Sequence, residues 1–212
     1  MDRKTNTGIE TKQGSFTPSP ESAGLVMVYL VLGGISVLFV TLTFAYVFGD
    51  QHAIWAEFIL PKWFWISTLI SGLASFFLHR AMQSYEQDDA SDLRKFLSAA
   101  VLMGGGFVLT QFAAWNNMAG MGIKLSGTPS GSYLYVISGL HAAHVAVGIV
   151  FLLFSLNTVF KFTQDKVSAL IFFSDPNRKN RLKMSFIYWH TVGALWLYIF
   201  LFFLYNHSYP GY

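Results

Sequence analysis

The sequence predicts an all-α membrane protein, a bundle of five transmembrane helices with its N-terminus inside and its C-terminus outside. Three observations carry this. The 212 residues are 53% apolar and only 12% charged, too little polar surface to cover a water-soluble globule. The apolar residues gather in five runs, approximately 24–48, 63–82, 96–115, 133–160 and 184–205. Each is near the roughly 20 residues that span about 30 Å of hydrocarbon. Finally, all eleven Asp and Glu residues lie outside these runs. The runs are continuously apolar rather than alternating, so helices, which satisfy their own backbone groups, are preferred to strands.

Orientation follows from the basic residues. Arg3, Lys4 and Lys12 precede the first run, Arg80, Arg94 and Lys95 lie about the second connection, and Lys161, Lys166, Arg178, Lys179, Arg181 and Lys183 about the fourth. The alternate side has only Lys62 and Lys124. Loops rich in Lys and Arg stay cytoplasmic, which places the N-terminus inside. The net charge of +3 is therefore topological and implies no nucleic-acid partner.

Residues 1–23, rich in Gly, Ser, Thr and Pro among charges, read as a disordered cytoplasmic arm that is too polar to fold alone. No small-residue cleavage site follows the first run, so that helix is expected to be retained. Trp63, Phe64 and Trp65 open the second run and Trp115 closes the third, as amphipathic rings do at a headgroup boundary. His79 and Arg80 end the second run, where long side chains reach the surface. Gly104, Gly105 and Gly106 weaken the third helix, which close packing or a kink explains. In the fourth, Ser138, Ala142 and Ala146 repeat at four-residue spacing and Gly139 and Ala143 form a second row, so neighbouring backbones can approach. Between Lys161 and Lys183, the apolar stretch 167–173 is expected to lie along the cytoplasmic interface or to dock a partner. Residues 206–212 form an outer C-terminal tail. The chain has no cysteine, which excludes disulfides, thiolate metal sites and c-type haem attachment.

The candidate functional residues are His141, His144, His190, Trp189, Trp196 and Gln111. His141 and His144 share one face of the fourth helix, with Gly148 beneath them. At about 1.5 Å of rise per residue, His144 lies roughly 14 Å and His190 roughly 9 Å above the inner boundary. Three readings of these two levels stand: a bis-histidine haem b, a polar contact tying the fourth helix to the fifth, or independent hydrogen bonds to lipid headgroups and neighbouring helices. A His-x-x-His pair with no carboxylate or thiolate beside it is a poor site for any other metal.

The stretch Tyr133-Leu-Tyr-Val-Ile-Ser-Gly-Leu-His-Ala-Ala-His-Val-Ala-Val-Gly148 resembles the pattern Gly-Phe-His-Gly-x-His-Val-x-x-Gly of subunit III of haem-copper respiratory oxidases. Tyr188-Trp189-His190-Thr191-Val192, followed by Leu195-Trp196, is similar to that family's Tyr-Trp-His-Phe-Val-Asp-x-Val-Trp. Gly104, Phe107 and Gln111 fall where the family has Leu-Gly-x-x-Phe and a glutamine. The resemblance covers about residues 24–205 and points to the family's short, five-helix form.

The resemblance implies a non-catalytic accessory subunit of the bacterial plasma (inner) membrane, without metal or cofactor of its own. Haem and copper would belong to partner subunits I and II, and phospholipids would lie between its helices. In that setting His141 and His144 would orient the fourth helix, His190 and Trp189 would fix the fifth, and Gln111 would satisfy its amide against a neighbour. Three family carboxylates are missing: the chain reads Gly34 and Ile35, Ala114-Trp115, and Gly193 where the family often has Glu, Glu-Tyr and Asp. Any proton-antenna role then rests on surface groups such as Asp88, Asp89 and Asp92, which otherwise make an ordinary solvated loop. The alternatives are a haem b membrane anchor, an accessory subunit of a nitric oxide reductase, and a small transporter. The last would be expected to show internal repeats, and none is evident.

Overall fold

The computed structural model describes residues 20–49 and 60–208, all of whose regular structure is helical. In chain order the helices are α1 (Pro20–Val47), α2 (Lys62–Glu86), α3 (Ala90–Gly120), α4 (Pro129–Phe162), α5 (Lys166–Ser174) and α6 (Pro176–Ser208). Most of the N-terminal arm and the end of the C-terminal tail lie outside the described residues. α1 already begins at Pro20, inside the segment read as an arm, and α6 runs to Ser208, inside the segment read as a tail. The helices outrun the apolar runs because hydrocarbon dictates only where a helix must exist, and headgroups and water permit it to continue.

Local chemistry sets the ends. Asp89 caps α3, its side chain accepting the N–H groups of Ser91 and Asp92. Asp88, at φ 56°, makes the left-handed residue that lets α2 and α3 join in a tight hairpin. Pro129 and Pro176 occupy first helical positions, where the missing N–H costs nothing. Asp92 pairs with Lys95 at 3.0 Å. Two of the three loop aspartates therefore have local structural partners.

α2, α3, α4 and α6 pack in a closed ring, each against the next, and α1 lies outside it against α6 and α4. The ring's core includes Phe64, Leu78, Phe107, Leu134, Ile137, Leu152, Trp196 and Ile199. Four helices are long and apolar enough to cross a membrane: Ala23–Val47, Ala90–Gly120, Pro129–Phe162 and Pro176–Asn206. The sequence reading counted five. The difference is α2, whose apolar character is diluted by Ser67, Thr68, Ser71 and Ser75. Those hydroxyls point into the ring, while Trp65, Leu69, Leu73 and Phe76 of the same helix are exposed.

Candidate functional site

Trp189 is the wedge of the bundle. It projects from α6 to the seam where α3 meets α4, and the sequence accommodates it with glycine on both sides. A methyl group on Gly104 would come within 2.7 Å of the indole Cη2 and 3.1 Å of Ile149. One on Gly148 would meet Tyr188 at 3.1 Å and Trp189 Cε3 at 3.3 Å. Gly105 has open space, and Gly106 meets only Ile70, at ordinary contact distance. Of the three consecutive glycines, the first alone is required by packing.

One to two turns along α6, Trp196 closes the ring's centre. Its Nε1 donates to Thr68 Oγ1 at 3.1 Å, and Phe107 meets it edge-on at 4.9 Å. His141, only 1% exposed, lies tilted over Trp196 at 5.1 Å, with Phe39 and Phe107 edge-on at 5.9 and 5.7 Å. Neither ring nitrogen of His141 has a hydrogen-bond partner among the described residues. It packs as an aromatic ring. Gln111, about one turn beyond Phe107 on α3, donates from Nε2 to Ser67 Oγ of α2 at 3.0 Å, and Ser67 also meets Thr110 at 3.0 Å. Trp115 Nε1 donates to Ser138 Oγ at 3.0 Å, tying α3 to α4, and Tyr188 donates to the His144 carbonyl at 3.0 Å, tying α6 to α4. In apolar surroundings such bonds add orientation where hydrophobic attraction between helices is weak.

His144 and His190 do not meet. The Nδ1 of His144 bonds the Leu140 carbonyl at 2.8 Å and that of His190 the Phe186 carbonyl at 3.0 Å, each within its own helix. A carbonyl only accepts, so Nδ1 carries the proton in both rings. Phe39 of α1 flanks His144 at 5.7 Å, whereas Phe186 lies between His190 and His79 of α2, at 4.0 and 6.3 Å. Tyr188 reaches α4, and His190, two residues on, lies roughly 200° round the helix from it. The similar depths expected from rise per residue made a shared haem or a polar tie conceivable, but the two rings face different neighbours. No three metal-ligating side chains converge among the described residues.

Sequence reasoning did not single out the hydroxyls of α2 or Arg178. The first had a signal in the recurrence of Ser and Thr within an apolar run; the second had almost none. At the charged end of the bundle a cavity of about 880 Å³ opens between α1, α4 and α6. Val28, Phe151, Phe154 and Tyr188 line it, and Asn177, Arg178 and Arg181 stand at its polar end. The Arg178 guanidinium lies 3.8 Å over the Phe162 ring and 5.1 Å from that of Phe172, while its Nε donates to Asp175 at 3.0 Å. Its Nη1 is buried without a partner among the described residues. Burial alone would lift the Asp175 carboxyl, but the Asn177 N–H and then the Arg178 side chain outweigh it and hold the group below its ordinary 3.8.

A helical bundle with four helices long and apolar enough to cross a membrane, locked by an indole wedge and hydroxyl bonds, defines a polytopic helical membrane protein. The chain belongs to the cytochrome c oxidase subunit III family, whose sequence profile matches residues 56–208. It is 30% identical over 135 residues to the probable cytochrome c oxidase subunit 3 of Mycobacterium leprae (strain TN), covering 63% of this chain and 61% of that protein. It is 24% identical over 179 residues to the cytochrome c oxidase subunit 3 of Bacillus sp. (strain PS3), covering 81% and 80%. The subunit 3 of Thermostichus vulcanus is likewise 24% identical, over 176 residues, covering 83% and 80%.

Proposed function

We propose that the protein is an accessory subunit of a haem-copper terminal oxidase of the bacterial plasma membrane. It packs against the catalytic subunit I, with subunit II in the same complex, and catalysis lies in those partners. The complex reduces O2 to water and conserves the energy as a proton gradient. The observation that carries the reading is the family match over residues 56–208, which takes in α2 to α6 and with them the Trp189 wedge, Trp196 and the Gln111 bond. The interior chemistry supports it: Gln111, Ser67, Thr68 and Trp196 make helix-to-helix bonds within the ring, and no Asp or Glu lies in the apolar runs to carry protons.

The same reading takes α2 as a fifth span. Its 25 residues reach about 38 Å, its exposed side is apolar and its hydroxyls face inward. The basic residues then set the N-terminus inside and the C-terminus outside. Phospholipid fills the cavity beside Arg178: acyl chains lie along Val28, Phe151 and Phe154, and the headgroup phosphate lies at the polar end with Arg178 and Arg181. His144 and His190 hold their own helices in register and bind no haem.

Affinity purification in mild detergent tests this. A haem-copper subunit I co-purifies, and replacing His144 and His190 together loosens the complex without removing haem absorbance. Loss of a haem b signal in that variant, or purification free of any haem-copper subunit, refutes the proposal.

A further inference from the structure

We propose that the outer face of α5 is a membrane-docking surface, seated in the headgroup layer of an anionic leaflet and joining the cytoplasmic ends of the bundle to it. α5 is nine residues long, Lys166–Ser174. Val167, Leu170 and Ile171 are 73%, 70% and 64% exposed, at the one-, three- and four-residue spacings that put them on one face, while Phe172 is 3% exposed. The inner face is anchored: Tyr85 of α2 meets Phe172 at 5.8 Å and Phe173 at 5.3 Å, edge-on in both cases.

Three large aliphatic side chains held outward on so short a helix need an apolar surrounding, and position identifies it. Only residues 163–165 separate α5 from the end of α4, and only Asp175 separates it from α6. Both neighbours are membrane-length helices. α6 is longer than about 30 Å of hydrocarbon requires, so its first turns, next to α5, lie at headgroup level. Charge selects the lipid. Between Lys161 and Lys183 there are six Lys and Arg residues against two Asp, and Lys161, Lys166, Lys179, Arg181 and Lys183 are exposed. An apolar face rimmed by cations is the combination that holds a helix in the plane of an anionic interface. The adjoining α4 likewise exposes Phe154 and Phe160. The leaflet, rather than a second protein, is therefore the occupant. Because Phe172 and Phe173 bear on Tyr85, seating α5 in lipid ties the end of α4 and the start of α6 to the α2–α3 hairpin.

The absence of cysteine makes the test clean. Leu170→Cys, and Gln164→Cys as an exposed loop control, are each labelled with an environment-sensitive fluorophore in the full chain. They are studied in phosphatidylglycerol and phosphatidylcholine nanodiscs and in native membranes. The label at position 170 should shift to the blue and resist aqueous iodide about threefold better than the label at position 164. Shallow lipid-borne quenchers should quench it more than deep ones, and phosphatidylglycerol should strengthen the effect, as for a face lying about 5–10 Å into the boundary. Equal iodide quenching at the two positions overturns the proposal. Protection from iodide and from lipid quenchers together also overturns it, in favour of a covering protein. Neither result depends on which proteins co-purify, so this inference and the oxidase proposal fail separately.

Discussion

Adding one methyl group at Gly104 tests whether the Trp189 wedge holds the bundle. In Gly104→Ala the new Cβ would stand 2.7 Å from Trp189 Cη2 and 3.1 Å from Ile149 Cγ1. Carbon atoms prefer about 3.5–4.0 Å, so the indole must retreat by roughly 0.8 Å. It has little room, because position 148 backs it with only a hydrogen and the ring is buried. Overpacking of this kind costs about 1–3 kcal/mol. The natural control is the neighbouring Gly105→Ala, whose Cβ meets nothing within 4 Å. Both variants gain a similar helix-propensity benefit, about 1 kcal/mol in water, so their difference isolates the clash. Unfolding in mixed micelles should therefore find Gly104→Ala weaker than Gly105→Ala by about 1–3 kcal/mol, roughly 5- to 150-fold in the equilibrium constant. Trp189→Phe, which shortens the ring, should restore part of the loss in the double variant. Equal stability of the two alanine variants, or no recovery in the double, refutes the wedge.

Two further outcomes follow from the polar contacts. Ser67→Ala leaves the buried Gln111 amide without its partner and should cost about 1–2 kcal/mol, whereas adding Gln111→Leu should return part of it; a double variant no better than Ser67→Ala contradicts the pairing. The Asp175 carboxyl has a folded pKa below its unfolded 3.8, so its contribution is complete above that value and is lost as pH falls through the folded pKa. Thermal melts should show Asp175→Asn less stable than the parent near pH 7, with the gap closing as pH falls below 3.8 and through the lowered folded pKa; a gap that persists in acid excludes the Arg178 pairing as its source.

Class was legible in the sequence because apolar run length and the placement of charge are one-dimensional quantities. The all-helical architecture and the membrane-length helices follow from them, and so does the family, through the Tyr188-Trp189-His190 and His141-Ala-Ala-His144 motifs. α2 shows where that reading strains. Its hydroxyls lower its mean hydropathy when averaged along the chain, yet they are the groups it turns inward to Thr110, Gln111 and Trp196. A sequence average cannot separate a polar group facing lipid from one bonded inside.

The histidines mark the same boundary. Rise per residue gave expected depths, but depth leaves the azimuth between separate helices undetermined, so the similar levels expected for His144 and His190 said nothing about whether they touch. By itself the chain determined that long apolar helices would form and what surroundings they need, since these depend on composition within a segment. Only the packed bundle decided that Trp189 lies between Gly104 and Gly148, that His141 packs among rings, and that Arg178 stands at the polar end of a cavity. Those facts depend on distances between segments far apart in sequence, which are set when helix faces choose one another.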